Sequence, residues 1–186
     1  LGGHGGRRER GVRHRHRLAE RAGREGVARG VVGRGQRPAR RRHGDGCAYG
    51  DLLDTFSIAE NIRSYQPDEI YNLAAQSYPG ESWRLAIETA EITGIGAHRI
   101  YEAVRYVKPD CRIYQASSSE MCGEPTTIPQ NEQTPFMPVN PYGAAKLYAH
   151  TLAQIYTKSY GLFIACGILF NHESPRRPKE FLSRKI

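Results

Sequence analysis

The stretch NPYGAAKLYAHTLAQIYTKSYGLFIACGILFN, residues 140–171, joins a helical segment to an apolar strand and indicates the fold class. An Asn followed by Pro141 is a typical helix start, because Asn caps the first turn and Pro suits the first helical position. The pattern therefore predicts a helix over residues 141–159. The apolar run at 161–171 then predicts a buried strand. A helix followed by such a strand is the repeating unit of α/β proteins.

The same alternation continues upstream of residue 140. The sequence predicts a helix at 55–66 with Phe56, Ile62 and Tyr65 facing inward, and a second, longer helix at 84–106. Short apolar runs predict strands at 68–75 and 111–118. We therefore expect an α/β fold, a partial Rossmann-like, doubly wound parallel sheet with helices on both faces.

Polar side chains follow each of the three predicted strands. They occur as NLAAQS after the first strand, QASSSE after the second and FNHESPRR after the third. In open parallel sheets, ligands bind beyond the carboxyl ends of the strands. The sequence therefore predicts a binding site at this edge of the sheet.

Tyr142 and Lys146 are four residues apart and so lie on one face of the predicted helix. A nearby ammonium stabilises a phenolate and lowers the pKa of the tyrosine. Such a pair can remove a hydroxyl proton while a hydride leaves the same carbon, although a Tyr–Lys pair alone often only decorates a helix surface. Ser118, Ser119 and Glu120 add hydroxyl donors and a carboxylate at a strand end, where on their own they would indicate a capped turn.

The first 46 residues differ from the rest of the chain. They hold 14 Arg, 12 Gly and no Lys, whereas the remaining 140 residues carry slightly more acidic than basic side chains, so the net charge of +8 belongs to the first segment. Such a composition cannot bury enough apolar surface to fold. We expect two parts: an Arg/Gly-rich segment at 1–46, disordered or the product of a frame error, and a domain at 47–186. A disordered basic tail would favour a nucleic-acid-binding protein.

The cysteine pattern and the hydropathy exclude further classes of protein and of binding site. Cys47, Cys111, Cys122 and Cys166 lie far apart and form no CxxC pair, so we expect neither a disulfide scaffold nor a metal site. The expected compartment is the reducing cytoplasm. The sequence has no run of about 18 apolar residues, so no membrane contact is expected.

Five motifs together resemble the extended short-chain dehydrogenase/reductases, and within them the GDP-mannose 4,6-dehydratase family. The resemblance covers residues 49–186, and FNHESPRR (170–177) is its most specific part. The five motifs are YGDL (49–52), YNLAAQS (71–77), YQASSSEMCG (114–123), NPYGAAK (140–146) and GILFNHESPRR (167–177). The family implies NADP-dependent conversion of GDP-mannose to GDP-4-keto-6-deoxymannose in a homo-oligomer.

The resemblance implies a role for each catalytic candidate. Tyr142 is similar to the base that deprotonates the sugar 4-hydroxyl, and Lys146 to the residue that holds the nicotinamide ribose. Glu120 matches the carboxylate that removes the C5 proton. Ser118 stands where the family usually has threonine and keeps its hydroxyl, which would orient the 4-position and help water leave from C6.

The resemblance also implies binding residues. Ser119 and Asn171 would contact the substrate. The implied NADP contacts, besides Lys146, are Asp51, Leu52, Leu73, Ala74, Ala75, Gln76, Ser77, His172 and Arg177. The family's GxTGxxG pyrophosphate loop does not occur in the sequence, so we expect the glycine-rich first βα unit to be missing and this fragment to be inactive. The alternatives are another NAD(P)-dependent nucleotide-sugar epimerase or dehydratase, and the basic nucleic-acid-binding protein.

Overall fold

A computed structural model describes residues 48–125 and 127–175. The described chain contains three strands, β1 (Glu69–Asn72), β2 (Arg112–Ser118) and β3 (Ile164–Leu169). Its α-helices are α1 (Thr55–Tyr65), α2 (Ala86–Thr89), α3 (Gly96–Val107) and α4 (Pro141–Tyr160). Short 3₁₀ turns cover Pro79–Trp83 and Ser119–Met121. The predicted Arg/Gly-rich segment and Arg177 lie outside the described residues.

The three strands form a parallel sheet in the order β1-β2-β3. Ile70 is paired with Ile113, and Ile113 in turn with Ile164, so apolar side chains line up across the sheet. Right-handed crossovers between neighbouring parallel strands bring the connecting helices to one face. On the opposite face, the ring centroids of Tyr71 and Tyr114 are 5.9 Å apart. The predicted α/β class with a parallel sheet is confirmed, while helices on this second face stay a prediction.

Helix α1 begins at a capped turn and packs on α3. The carboxylate of Asp54 accepts hydrogen bonds from the backbone nitrogens of Phe56 and Ser57, which satisfies the free donors of the first turn. Ile58 and Ile62, one turn apart, are the buried residues of this helix. The prediction that Phe56 faces inward is wrong, since its side chain is 75% exposed. Phe56 is two residues before Ile58, so its side chain points to the other side of the helix.

The predicted long helix at 84–106 is present but not regular. A π-helical segment at Ala90–Ile95 separates α2 from α3. Two glycines in this region allow close packing: a Cβ on Gly96 would lie 2.8 Å from Cβ of Leu52, and one on Gly94 would lie 3.3 Å from the ring of Tyr148. Among the described residues, no helix is both long and apolar enough to cross a membrane.

Helix α4 packs closely because its inner face is built from small residues. Ala145, Ala149 and Ala153 recur every four residues and are all buried. Tyr101 of α3 donates its hydroxyl proton to the carbonyl of Ala149 over 3.3 Å. Alanines at these positions let α4 lie against α3 and the π-helical segment without a gap.

We expect Ala149→Leu to reduce the free energy of unfolding by about 1–3 kcal/mol, because a larger side chain at this fully buried position overpacks the helix contact. Thr151→Leu adds similar bulk to an exposed position of the same helix and is the control, with an expected change within about 0.5 kcal/mol. Urea unfolding of both variants measures the difference. Equal stabilities would contradict the close packing.

Candidate active site

A cleft of about 380 Å³ opens at the carboxyl edge of the sheet, where the sequence predicts it. Its walls come from the ends of all three strands and from the first two turns of α4. Most of the predicted site residues line it: Leu73, Ala75, Ser77, Ser118, Ser119, Glu120, Tyr142, Lys146, Asn171 and His172. The cleft therefore unites residues separated by up to 99 positions in the chain.

The side chain of Asn140 caps the start of α4, and the first two turns of this helix line the cleft. Its amide oxygen accepts from the backbone nitrogen of Gly143 over 2.7 Å, and Pro141 occupies the first turn. Tyr142 and Lys146 then lie one turn apart, with Nζ of Lys146 5.6 Å from the centroid of the Tyr142 ring. Both side chains are buried.

Lys146 is a buried cation with one acceptor among the residues that the structure describes. Its Nζ donates to the backbone oxygen of Ala116 over 2.8 Å, which ties α4 to β2. Burial lowers the pKa of Lys146 to about 8. The amine is thus still mostly protonated near neutral pH, and its remaining N–H bonds are available to a ligand in the cleft.

The pKa of Tyr142 differs from the expectation. Burial raises it above its ordinary value, a hydrogen bond with Ser118 lowers it, and the charge of Glu120 raises it. The prediction that Lys146 lowers this pKa is wrong for the chain without a ligand, because the ammonium is turned toward Ala116. Tyr142 is therefore a neutral phenol near neutral pH.

Ser118 is the last residue of β2, and Glu120 lies in the 3₁₀ turn that follows it. The Ser118 hydroxyl accepts a hydrogen bond from the backbone nitrogen of Glu120 over 3.2 Å and so caps the 3₁₀ turn. The capped turn predicted for these residues is present, and it also brings both side chains to the cleft. Oε2 of Glu120 accepts from the side-chain amide of Asn140 over 2.7 Å.

Some predicted binding residues lie elsewhere. Asp51 and Leu52 line a separate cavity of about 60 Å³ between α1, β1 and α3. Ala74 packs against the hydrophobic core. The Gln76 backbone nitrogen donates to the hydroxyl of Thr93 over 3.1 Å, which holds this residue against the π-helical segment. Neither Ala74 nor Gln76 lines the cleft.

Sequence reasoning missed two features of the site. Asn140 was identified only as a helix start, because its contact with Glu120 spans 20 residues and depends on the intervening loop. Ser117 lines the cleft and is hydrogen-bonded to Nδ1 of His150 over 2.9 Å, which adds a second tie between β2 and α4. Among the described residues, no group of three or more His, Cys, Asp or Glu side chains is placed to hold a metal ion.

We expect Lys146→Met to stabilise the chain by up to about 3 kcal/mol below pH 8, where the folded and unfolded states both carry the protonated amine and burying it costs most. Between pH 8 and 10.5 the unfolded state binds more protons than the folded one, so the free-energy cost of burying Lys146 shrinks as the pH rises. The stability difference between Lys146→Met and the parent therefore disappears over this range. The Ala116 carbonyl stays satisfied, since the side-chain nitrogen of Gln115 also donates to it.

Urea unfolding across this pH range measures the effect. Lys158→Met on the exposed side of the same helix is the control, and its difference from the parent should not change with pH. A stability difference for Lys146→Met that is constant with pH would contradict a charged, buried Lys146.

Comparisons with known proteins agree with this geometry. Residues 34–186 match a family model described as GDP-mannose 4,6 dehydratase. The match begins inside the Arg/Gly-rich segment, and the boundary at residue 47 stays a prediction. The GDP-mannose 4,6-dehydratase of Yersinia enterocolitica is 48% identical over 140 residues, which are 74% of this chain and 38% of that protein. The chain thus spans less than half the length of this relative.

Solved structures confirm the fold. DesIV, a dTDP-glucose 4,6-dehydratase from Streptomyces venezuelae solved with NAD and TYD, aligns with a TM-score of 0.68 at 25% identity over 73% of this chain and 41% of its own. RMD from Pseudomonas aeruginosa, complexed with NADPH, aligns with a TM-score of 0.68 at 26% identity over 72% of this chain and 46% of its own. By the family match and this architecture, the chain belongs to the GDP-mannose 4,6-dehydratase family.

Proposed function

We propose that the protein containing this chain is a lyase that converts GDP-mannose to GDP-4-keto-6-deoxymannose. The observation that carries the proposal is the meeting of Tyr142, Lys146, Ser118 and Glu120 in one cleft at the carboxyl edge of the sheet. Oxidation at C4 of a sugar needs a group that takes the hydroxyl proton, and elimination of water across C5 and C6 needs a second base. The cleft offers one candidate for each.

NADP is the proposed cofactor, and it would accept the C4 hydride and return it at C6. The residues present fit its nicotinamide ribose, because Lys146 is a buried ammonium at the cleft wall with N–H bonds beyond the one used by Ala116. His172 also lines the cleft. DesIV was solved with NAD and RMD with NADPH, so the preference for NADP belongs to the proposal.

Tyr142 is proposed to exchange a proton with the 4-oxygen of the sugar. In the chain without ligand its phenol is neutral, since burial raises its pKa. To act as a base, the phenol must first lose its proton to solvent, and the interaction with Ser118 favours this because it lowers the pKa of the phenol. The cation of Lys146, one turn away, then favours the phenolate over the phenol.

Glu120 is proposed to remove the C5 proton once C4 is a ketone, because the ketone makes that proton acidic. The bond between C6 and its hydroxyl then breaks, and protonated Glu120 would give the hydroxyl the proton taken from C5, so that it leaves as water. C5 would regain a proton from solvent when the hydride returns at C6. The Ser118 hydroxyl, at the same turn, would orient the 4-position and assist this departure. Ser119 and Asn171 line the same cleft and are the proposed substrate contacts.

The other expectations have different outcomes. A different nucleotide-sugar epimerase or dehydratase finds no support in the family match, which describes GDP-mannose 4,6 dehydratase. Nucleic-acid binding rested on residues 1–46, which lie outside the described residues. A homo-oligomer and a cytoplasmic location stay predictions.

The roles can be tested in a completed enzyme, by which we mean residues 47–186 of this chain joined to the remaining parts of the Yersinia enterocolitica relative. Circular dichroism and NADP titration establish that it is folded and binds the cofactor. A folded, NADP-binding completed enzyme that releases no 4-keto sugar from GDP-mannose would contradict the proposed function.

Tyr142→Phe in the completed enzyme should reduce turnover by about 10²–10⁴-fold and leave the affinity for GDP-mannose nearly unchanged, because only the proton-transferring hydroxyl is lost. Tyr148→Phe removes a half-exposed hydroxyl from the same helix and is the control. Steady-state rates and calorimetric affinities measure both. Parent-like turnover of Tyr142→Phe would rule out its role.

Glu120→Gln in the completed enzyme should still form NADPH but stall before loss of water, because forming the C4 ketone does not need the C5 base. Single-turnover absorbance should show NADPH that accumulates and persists, whereas in the parent it is transient. Normal release of the dehydrated product by this variant would contradict the assignment of Glu120.

A further inference from the structure

Both the oxygen and the nitrogen of the Asn140 side-chain amide form hydrogen bonds at the edge of the cleft. Its oxygen accepts from the backbone nitrogen of Gly143, and its nitrogen donates to Oε2 of Glu120, each over 2.7 Å. The first bond caps α4. The second is a hydrogen bond to a carboxylate, which is stronger than one between neutral groups.

The backbone of Glu120 is held by the same helix turn. A Cβ added to Gly143 would lie 2.4 Å from the carbonyl oxygen of Glu120, so the turn after β2 and the first turn of α4 are in direct contact. Glu120 is therefore fixed to α4 at two points, its carbonyl against Gly143 and its carboxylate on Asn140. The half-buried carboxylate keeps its other oxygen, Oε1, without a hydrogen bond to any described residue.

We propose that Asn140 is a positioning residue for Glu120, holding Oε2 so that Oε1 faces the reacting carbon in the cleft. The inference rests on the proposed function, because it assumes that Glu120 takes a proton from the substrate. A glutamate has three rotatable side-chain bonds, and one N–H fixed by a helix cap removes most of that freedom.

Capping of α4 alone would explain the hydrogen bond that the amide oxygen of Asn140 accepts, but not the one that its amide nitrogen donates. Three substitutions separate the two roles. Asn140→Asp keeps a good cap, loses the donor and adds a like charge beside Glu120. Asn140→Gly loses the donor and weakens the helix start only slightly. Asn140→Ser keeps a hydroxyl that can both accept from Gly143 and donate to Glu120, though with a shorter reach.

The experiment compares two steps in the completed enzyme with GDP-mannose. NADPH absorbance in single turnover reports the C4 step, and deuterium incorporated at C5 of the product from heavy water reports the step assigned to Glu120. We expect Asn140→Gly and Asn140→Asp to slow the C5 step about 10²-fold while the C4 step changes by less than about threefold. Asn140→Ser should recover most of the rate.

The outcomes separate the inference from the proposed function. If the parent completed enzyme forms no NADPH from GDP-mannose, the proposed function fails. If the parent turns over but Asn140→Gly keeps a normal C5 step, or slows both steps equally, Asn140 is only a helix cap and the inference fails.

A second readout uses the 186-residue chain and needs no activity. The side-chain amide resonance of Asn140, observed by NMR with ¹⁵N labelling, should shift in Glu120→Ala, which removes the carboxylate that accepts from it. Asn131 caps a turn of the loop through its own side chain and is the internal reference, whose amide resonance should stay unchanged. An Asn140 amide resonance that is the same in Glu120→Ala as in the parent would overturn the pairing.

Discussion

The contact between α4 and the end of β2 is the constraint on which the site depends. Along one helix face, Gly143 touches the carbonyl of Glu120, Lys146 donates to the carbonyl of Ala116, and His150 is hydrogen-bonded to Ser117. The three helix residues follow each other at spacings of three and four, and their partners lie in the last residues of β2 and the 3₁₀ turn that follows it. The strand end and the helix start are thereby fixed against each other before any ligand binds.

The same contact accounts for the electrostatics of the cleft. Close packing removes water from Tyr142 and Lys146, and loss of water favours the neutral form of each, so the pKa of the tyrosine rises and that of the lysine falls. Burial therefore works against a phenolate–ammonium pair, although the two residues are one turn apart. A charged pair in this position needs a ligand that supplies hydrogen bonds to both side chains, which makes the protonation state of the cleft sensitive to occupancy.

Local signals predicted much of the fold, and long-range contacts account for what they missed. The Asn-Pro start placed α4 within one residue of its observed bounds, Pro141–Tyr160. The first strand was expected at 68–75 but ends at Asn72, since nothing beyond that residue pairs with β2. The polar residues after each predicted strand indicated the cleft, because parallel strands have their carboxyl ends at the same edge of the sheet. The bond between Asn140 and Glu120 was not predictable, because its geometry is set by the path of the loop between them.

The arrangement would let the two proposed proton transfers share one cleft. Tyr142 and Lys146 belong to α4, whereas Ser118 ends β2 and Glu120 lies in the turn that follows it. The proposed reaction sites, C4 and C5 of the sugar, are bonded carbons about 1.5 Å apart, so the two bases must keep a nearly constant separation. Asn140 and Gly143 join the two elements at the first turn of α4, next to Tyr142. These contacts fix the carboxylate relative to the phenol, so the spacing of the two groups is set by the packing of α4 on the end of β2.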